Sequence, residues 1–153
     1  MRILLLAVGR LRSQPLRELC ADYLERLSRY GPAGVEELKP AGPGAPAQCV
    51  AQESARVLAA LLPTDRVCVL DERGAQLSSP ELCQLLKAHE LSSAKRLVFV
   101  LGGAYGVSDA VRRRGKLLAL SRLTLPHELC RTLLLEQLYR ARTIQHGQPY
   151  HHG

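Results

Sequence analysis

The clearest strand pattern in the chain is Leu97-Val98-Phe99-Val100-Leu101, which leads directly into Gly102-Gly103-Ala104-Tyr105-Gly106. Five continuous apolar residues are typical of a strand buried on both faces of a parallel sheet. The adjacent glycines permit positive φ and leave room for a flat ligand against the main chain. Taken alone, the pattern fits a ligand-binding loop or an ordinary turn equally well.

Similar apolar runs recur along the chain and alternate with segments of helical spacing. Strands are expected at 3–8, 35–38, 66–70 and 117–120. Helices are expected over 13–30, over 47–62, from 78, from 108 and over 126–144. Asp71–Gly74 is expected to be a turn, and the proline- and glycine-rich segment 40–46 a loop. This alternation predicts one α/β domain over residues 1–153, with a mostly parallel sheet and helices on both faces.

In such sheets, ligands bind beyond the carboxyl ends of the strands. A binding site is therefore expected after Leu70, after Leu101 and after Leu120. The glycine segment reads G-G-x-x-G and follows a late strand, so it does not match the G-x-G-x-x-G dinucleotide motif. The chain also has no Walker A sequence.

The charge is strongly positive, with 21 Lys and Arg against 14 Asp and Glu and a formal net charge of +7. An excess of this size favours a polyanionic partner, nucleic acid above all, although a merely soluble basic surface has the same composition. The basic cluster Arg112-Arg113-Arg114, with Lys116, is either additional charge for contact with RNA or a basic solvated face, and the solvated face is the preferred interpretation.

The five cysteines are scattered and form no C-x-x-C pair, which argues against a disulfide framework and a structural metal site. Each lies among apolar residues, as expected of a free, buried thiol in a reducing compartment. The apolar run at 3–8 is too short to span a bilayer, and no cleavage site follows it. We therefore expect a cytoplasmic protein with no membrane partner.

Two further segments stand out near the end of the chain. The first is Leu120-Ser121-Arg122-Leu123-Thr124-Leu125-Pro126-His127, and the second is Gln148-Pro149-Tyr150-His151-His152-Gly153. Each has an ordinary explanation, because Pro is common at helix starts and chain ends usually fray.

The order of these segments is specific: L-G-G-x-x-G, a strand, S-x-L-T-L-P-H, L-x-E-Q-L-Y-R-A and a terminal P-Y-H. Over essentially its whole length, the chain resembles the small SPOUT-class methyltransferases that methylate N3 of a pseudouridine in large-subunit (23S) ribosomal RNA. The resemblance implies a C-terminal trefoil knot, which sequence rules alone would not propose. It also implies a homodimer, with ribosomal RNA in the ribosome, not DNA, as the substrate.

The same resemblance implies that S-adenosyl-L-methionine lies in the knot, held by three loops. The positions that correspond to these loops are Leu70, Gly103, Ser121, Arg122, Leu123, Thr124, Leu125 and Pro126. Small residues and free backbone groups at strand ends suit main-chain contacts to an adenine.

Three residues are the candidate catalytic groups. His151 is a candidate general base for the N3 proton, since imidazole titrates near neutral pH. Tyr150 is a candidate to stack on or hydrogen-bond the target base, and Arg140 to stabilise charge on the base or the RNA backbone. The resemblance implies that the Tyr150–His151 segment of one subunit completes the pocket of the other.

Some features depart from the family pattern, and other functions stay open. His152 stands where the family commonly has Arg or Lys, and Tyr105 is bulky for a glycine loop. The alternatives are a SPOUT enzyme for another RNA and a non-enzymatic RNA-binding module. SPOUT enzymes that act on transfer RNA usually carry an additional RNA-binding domain, for which 153 residues leave no room.

Overall fold

A computed structural model describes residues 1–153, and in it five strands alternate with five helices. In chain order they are β1 Arg2–Val8, α1 Gln14–Ser28, β2 Ala33–Leu38, α2 Pro46–Ala60, β3 Arg66–Gln76, α3 Ser79–Leu91, β4 Arg96–Leu101, α4 Asp109–Arg112, β5 Lys116–Ala119 and α5 His127–Gln145. The strands form one sheet in the order β2-β1-β4-β3-β5. Every pair is parallel, so the predicted α/β class and parallel sheet are confirmed.

The sheet is buried on both faces, as the continuous apolar strands predict. In β1, Ile3, Leu5 and Ala7 belong to a core cluster shared with α1, α3 and α5. Leu4, Leu6 and Val8 belong to a second cluster, shared with α2 and α4. Successive strand residues point to opposite faces, so one apolar run supplies both cores and helices cover both faces.

The helix starts follow the capping signals in the sequence. The Ser13 hydroxyl accepts from the Leu16 backbone N–H, and a proline occupies the first turn of α1. At α3, Ser78 and Glu81 form a reciprocal capping box, also followed by a proline in the first turn. Such caps each contribute about 1 kcal/mol to stability, and both predicted starts are confirmed.

The predicted turn at Asp71–Gly74 is wrong, because β3 continues to Gln76. Its register against β5 shifts between Leu70 and Ala75, and both residues pair with Leu118. At Gly74, a β-carbon would lie 2.5 Å from the Leu118 carbonyl carbon, so only glycine permits this approach. The residues between Leu70 and Ala75 therefore leave the regular path of the strand and pack closely against β5. We call this segment the β3 excursion.

Because all five strands are parallel, their carboxyl ends lie at one edge of the sheet, where the segments after β1, β2 and β4 come together. No helix in the structure has the length and apolar character needed to cross a membrane.

Candidate functional site

The three segments predicted to bind a ligand line one cleft of about 480 Å³. Leu70 of β3 lies on one side, the glycine loop with Gly103 on another, and the segment between β5 and α5 on the third. We call this the three-loop cleft. The predicted residues that line it are Leu70, Gly103, Ser121, Arg122, Leu123, Thr124 and Leu125. Pro126 is not among the lining residues and stands immediately before α5 as its N-cap.

The loop between β5 and α5 leaves main-chain groups free beside this cleft. Arg122, Thr124 and Leu125 make no hydrogen bond to another backbone group, although the Leu125 carbonyl accepts one from the Cys130 thiol at 3.8 Å. The Leu123 N–H is bound by the Ser121 hydroxyl at 2.9 Å, which shapes the loop locally. Unpaired backbone donors and acceptors at a cleft are available to a polar, flat ligand.

An ion pair that the sequence analysis missed forms one wall of the cleft. Arg112 Nε donates to Asp71 Oδ2 at 2.7 Å, and its Nη1 contacts Asp109 at 2.8 Å. Burial opposes ionisation of Asp71, but hydrogen bonds from Arg112 and the Arg73 backbone outweigh it and lower the pKa of the carboxyl group. The interpretation of 112–114 as a solvated face is therefore wrong for Arg112, which holds the β3 excursion. Arg114 also donates to the Leu62 carbonyl.

A second pocket, of about 640 Å³, lies on the other side of the glycine loop. We call it the β1–β4 pocket, because Val8 and Gly103 at the ends of those strands line it. Glu53 of α2 projects into it, with Oε1 accepting from the Ala41 backbone N–H at 2.9 Å. A β-carbon on Gly103 would lie 2.9 Å from Cδ of Glu53 and closer still to Oε2. A side chain at position 103 would therefore force the Glu53 carboxylate to move.

The sequence analysis did not single out Glu53, although a signal was present. It follows Val50 by three residues and precedes Val57 by four, which places a carboxylate on the inward face of a helix. A charged residue at such a position is rarely buried without a reason.

Two of the three candidate catalytic residues meet in the structure. Arg140 Nε donates to Glu136 Oε1 at 3.0 Å, and the Tyr150 hydroxyl donates to the same oxygen at 3.1 Å. The Arg140 guanidinium lies over the Tyr150 ring, 4.7 Å from its centroid. Burial, together with hydrogen bonds to Tyr23 and Glu136, raises the pKa of Tyr150, which keeps its hydroxyl a neutral donor. Glu136, which sequence reasoning did not identify, organises this cluster.

His151 follows directly and is half-buried, with an Nδ1 atom that has no hydrogen-bond partner. None of Arg140, Tyr150 and His151 lines the three-loop cleft of its own chain. The tail packs against α5 and α1 through Tyr139, whose ring centroid is 4.7 Å from that of Tyr150, and through the Tyr23 hydroxyl at 3.4 Å. The terminal segment therefore has a defined position, away from the loops it is expected to serve.

The sequence of the last helix, with Leu133, Leu134, Leu135 and Leu138, suggests more apolar surface than one helical face can bury, but most of it is buried within the chain itself. Leu134, Leu135 and Leu138 are at most 2% exposed and belong to the chain's own core. The helix buries a wide face because it packs against both α1 and α3. Leu133 is half-buried and lines an apolar cavity of about 160 Å³, so among these leucines it alone keeps exposed surface.

The cysteines are free, as expected. Four are buried, and Cys130 is half-buried. Burial raises the pKa of Cys68 to about 11, which makes it an inert core thiol.

The fold and cleft define a class: an α/β protein with a fully parallel sheet, whose ligand cleft is walled by loops at the carboxyl edge. The chain belongs to the SPOUT methyltransferase family, since the family model described as "Predicted SPOUT methyltransferase" matches residues 1–151.

Similar proteins share the whole length of the chain. One from Solidesulfovibrio magneticus is 48% identical over 149 residues, covering 97% of both chains. One from Pelobacter propionicus is 41% identical over 152 residues, covering 99% of this chain and all of the relative. One from Geobacter metallireducens is 42% identical over the full length of both. Each is named "Ribosomal RNA large subunit methyltransferase H".

Membership of this family implies S-adenosyl-L-methionine as the methyl donor. The three-loop cleft fits such a group, because it combines apolar walls with free backbone groups. Leu70, Leu101 and Leu118 supply apolar surface, and the loop before α5 supplies unpaired amides and carbonyls. Its volume also falls in the range of about 300–1,000 Å³ usual for cofactor sites.

Proposed function

We propose that this protein transfers a methyl group from S-adenosyl-L-methionine to N3 of a pseudouridine in large-subunit (23S) ribosomal RNA, on the assembled ribosome in the cytoplasm. The observation that carries the proposal is the three-loop cleft, in a chain that matches methyltransferases of large-subunit RNA over its whole length. The net charge of +7 suits an RNA substrate.

Leu70, Gly103 and residues 121–125 would hold the cofactor, with Pro126 fixing the start of α5 behind them. When bound, S-adenosyl-L-methionine supplies an electrophilic methyl group. The Asp71–Arg112 pair keeps the β3 excursion against β5, and so keeps one wall of the cleft in place. Prearranged walls of this kind hold reacting groups at attack distance, which is a large part of catalysis.

The tail would act on the target base. N3 of pseudouridine carries a proton and is a poor nucleophile until that proton leaves, and His151 is the group proposed to accept it. Tyr150, held neutral, would stack on or donate to the base. Arg140, partly balanced by Glu136, would stabilise negative charge that develops on O2 or O4 as the proton is removed.

Because these three residues do not line the cleft of their own chain, we propose that the protein acts as a homodimer in which one subunit's tail completes the other's cleft. Light scattering should then give about twice the 16.8 kDa chain mass. Mixing two inactive variants, Leu125→Arg and a deletion of 150–153, should restore about a quarter of wild-type activity, since half of the dimers gain one intact site. A monomeric mass, or no restored activity after subunit exchange, would contradict the shared site.

We also propose that the β3 excursion and β5 form the trefoil knot of this family. The support is that Leu118 pairs with both Leu70 and Ala75, with the chain between them passing close around β5. A disulfide that joins the two ends of the β3 excursion on the far side of β5 should then close a loop around that strand. In denaturant, β5 should stay threaded through the closed loop.

The reaction is tested by transfer of tritium from labelled S-adenosyl-L-methionine to ribosomes from a strain that lacks the enzyme. Assembled ribosomes, free subunits and transfer RNA are compared under the same conditions. Label in ribosomes alone supports the proposal. Label in transfer RNA would support the alternative substrate, and binding of RNA without any transfer would support a non-enzymatic RNA-binding module.

A further inference from the structure

The β1–β4 pocket lies next to the three-loop cleft, and neither the cofactor loops nor the tail accounts for it. The two sites share the wall formed by Gly103, Ala104 and Tyr105. The remaining wall comes from the end of β1 and the residues after it, the loop at 40–44, Cys49 and Glu53 of α2, and the start of α5. A ligand in this pocket would therefore be separated from the cofactor only by the glycine loop.

Two side chains in the pocket carry polar atoms that have no partner. Glu53 is 6% exposed, and its Oε2 is fully buried with no hydrogen bond, while its Oε1 is bound to the Ala41 N–H. His127, in the first turn of α5, has an Nε2 that is likewise buried and unbonded. Burying a carboxylate oxygen without a donor is costly, so a donor from outside the chain would explain why this group is kept there.

The imidazole is suited to the same ligand. Burial lowers the pKa of His127, and the nearby Arg131 lowers it further, against smaller opposing effects of Gly102, Glu128 and Glu53, so the neutral ring is favoured. A neutral imidazole offers Nε2 as a donor or an acceptor, depending on the tautomer. The pocket therefore offers a carboxylate oxygen, which can only accept a hydrogen bond, and an imidazole nitrogen, which can donate or accept one.

The rim carries cationic and aromatic groups. Arg10 and Arg12 line the pocket and are exposed, as required for contact with phosphate. Tyr105 is 57% exposed at the wall shared with the cleft, where its ring is free to stack on a base. These groups match the parts of a ribonucleotide. The Glu53 carboxylate suits its hydrogen-bond donors, the Tyr105 ring suits its base, and the two arginines suit its phosphate.

We propose that the β1–β4 pocket binds one nucleoside of the substrate RNA, and that the Glu53 carboxylate turns its Oε2 from Gly103 toward the pocket to accept a hydrogen bond from it. This inference rests on the proposed function for the identity of the RNA. The donor is either a base N–H or a ribose hydroxyl. Pseudouridine differs from uridine in having a free N1–H, so the choice of donor bears on how the substrate is recognised.

The sharpest variant is Glu53→Gln. Its amide oxygen can still accept from the Ala41 N–H, while its NH2 group replaces the free acceptor with a donor. With ribosomes as substrate, KM should rise about tenfold or more, as expected for the loss of one hydrogen bond to a charged group. Cofactor affinity by calorimetry should change less than about threefold, since Glu53 does not line the three-loop cleft. Glu25→Gln, on the exposed side of α1, is the matched control and should leave both values unchanged.

A wild-type KM in Glu53→Gln would overturn the inference. An equal loss of cofactor affinity would also overturn it, because Glu53 would then only support the glycine loop.

A direct binding measurement separates this inference from the proposed function. Labelled protein saturated with S-adenosyl-L-methionine is titrated with pseudouridine, uridine and 2′-deoxyuridine 5′-monophosphates, following the Ala41 and Gly103 amide signals by NMR. Saturable shifts that Glu53→Gln removes support the pocket, even if no ribosomal methylation is found. Weaker binding of uridine would identify the base N1–H as the donor, and weaker binding of the deoxynucleotide the ribose. No shift with any of the three would overturn the inference.

Discussion

The carboxylate of Glu53 occupies the space beside Gly103 where a side chain would begin, so that a β-carbon at position 103 would lie 2.9 Å from Cδ of Glu53. This contact joins α2 to the glycine loop that separates the two pockets. The sequence suggests that the adjacent glycines leave room for a flat ligand, whereas in the structure the space beside Gly103 is taken by Glu53. The first obstacle to a side chain at position 103 is Glu53.

Gly103→Ala should therefore reduce the free energy of unfolding by about 1–3 kcal/mol, the usual cost of overpacking. Urea denaturation measures the change. Gly42→Ala is the matched control, because a β-carbon there meets nothing within 4 Å. Combining Gly103→Ala with Glu53→Ala should recover part of the loss by removing the obstacle. If the losses in free energy of unfolding of the two single variants simply add in the double variant, contact with Glu53 is not the cause of the Gly103→Ala loss.

Leu125→Arg should lower the affinity for S-adenosyl-L-methionine at least about tenfold, because it places a charge in the wall of the three-loop cleft. Isothermal titration calorimetry gives the affinity, with NAD as a ligand expected not to bind. Leu91→Arg, at a leucine that is 91% exposed, should bind the cofactor normally. Unchanged affinity in a folded Leu125→Arg protein would place the cofactor elsewhere.

The Asp71–Arg112 pair predicts a pH-dependent contribution to stability. The pKa of Asp71 is lowered in the folded protein, so its ionised form is favoured there over the unfolded chain. The wild type should thus be more stable than Asp71→Asn above about pH 4, the ordinary range of a carboxyl group. This advantage should shrink as the pH falls through the lowered pKa. Melting temperatures at a series of pH values test this, and a difference that does not vary with pH would contradict it.

Asp22→Asn provides a control for that series. Asp22 pairs with Arg26 on the surface of α1, where its side chain is 45% exposed. Exposed pairs contribute only about 0–1 kcal/mol, so the variant should follow the wild type closely at every pH.

Deleting residues 150–153 should abolish methyl transfer and leave cofactor binding nearly intact, because no tail residue lines the three-loop cleft. His151→Ala alone should lower kcat about a hundred-fold or more, the range of general acid–base catalysis. Removal of Gly153 alone is the control. Full activity in the deletion variant would show that the terminal Tyr–His pair takes no part in the reaction.

The elements that could be predicted from sequence are those with strong local signals. The run at 97–101 is continuously apolar because it is buried on both faces, and Ser13 and Ser78 begin helices through hydrogen bonds to residues three positions away. The sequence also predicts that the segments after Leu70, Leu101 and Leu120 lie together, because parallel strands end at one edge of the sheet, and these segments line one cleft.

Features that depend on distant contacts could not be predicted in this way. The excursion at Asp71–Gly74 looks like a turn locally, and only its packing around Leu118 makes it part of a strand. The leucines of α5 suggest more apolar surface than the chain itself can bury, because the sequence does not reveal that both α1 and α3 pack against this helix. The placement of Glu53 against Gly103 joins residues 50 positions apart, and spacing alone gives no sign of it.

The most direct test of the proposed function is to identify the methylated nucleoside. Ribosomes from a strain that lacks the enzyme are incubated with the protein and isotopically labelled S-adenosyl-L-methionine, and the large-subunit RNA is digested and analysed by mass spectrometry. We predict that the label appears in a single nucleoside, 3-methylpseudouridine, and that the Leu125→Arg protein yields none. Label in a different nucleoside, in another RNA, or in no RNA at all would contradict the proposed function.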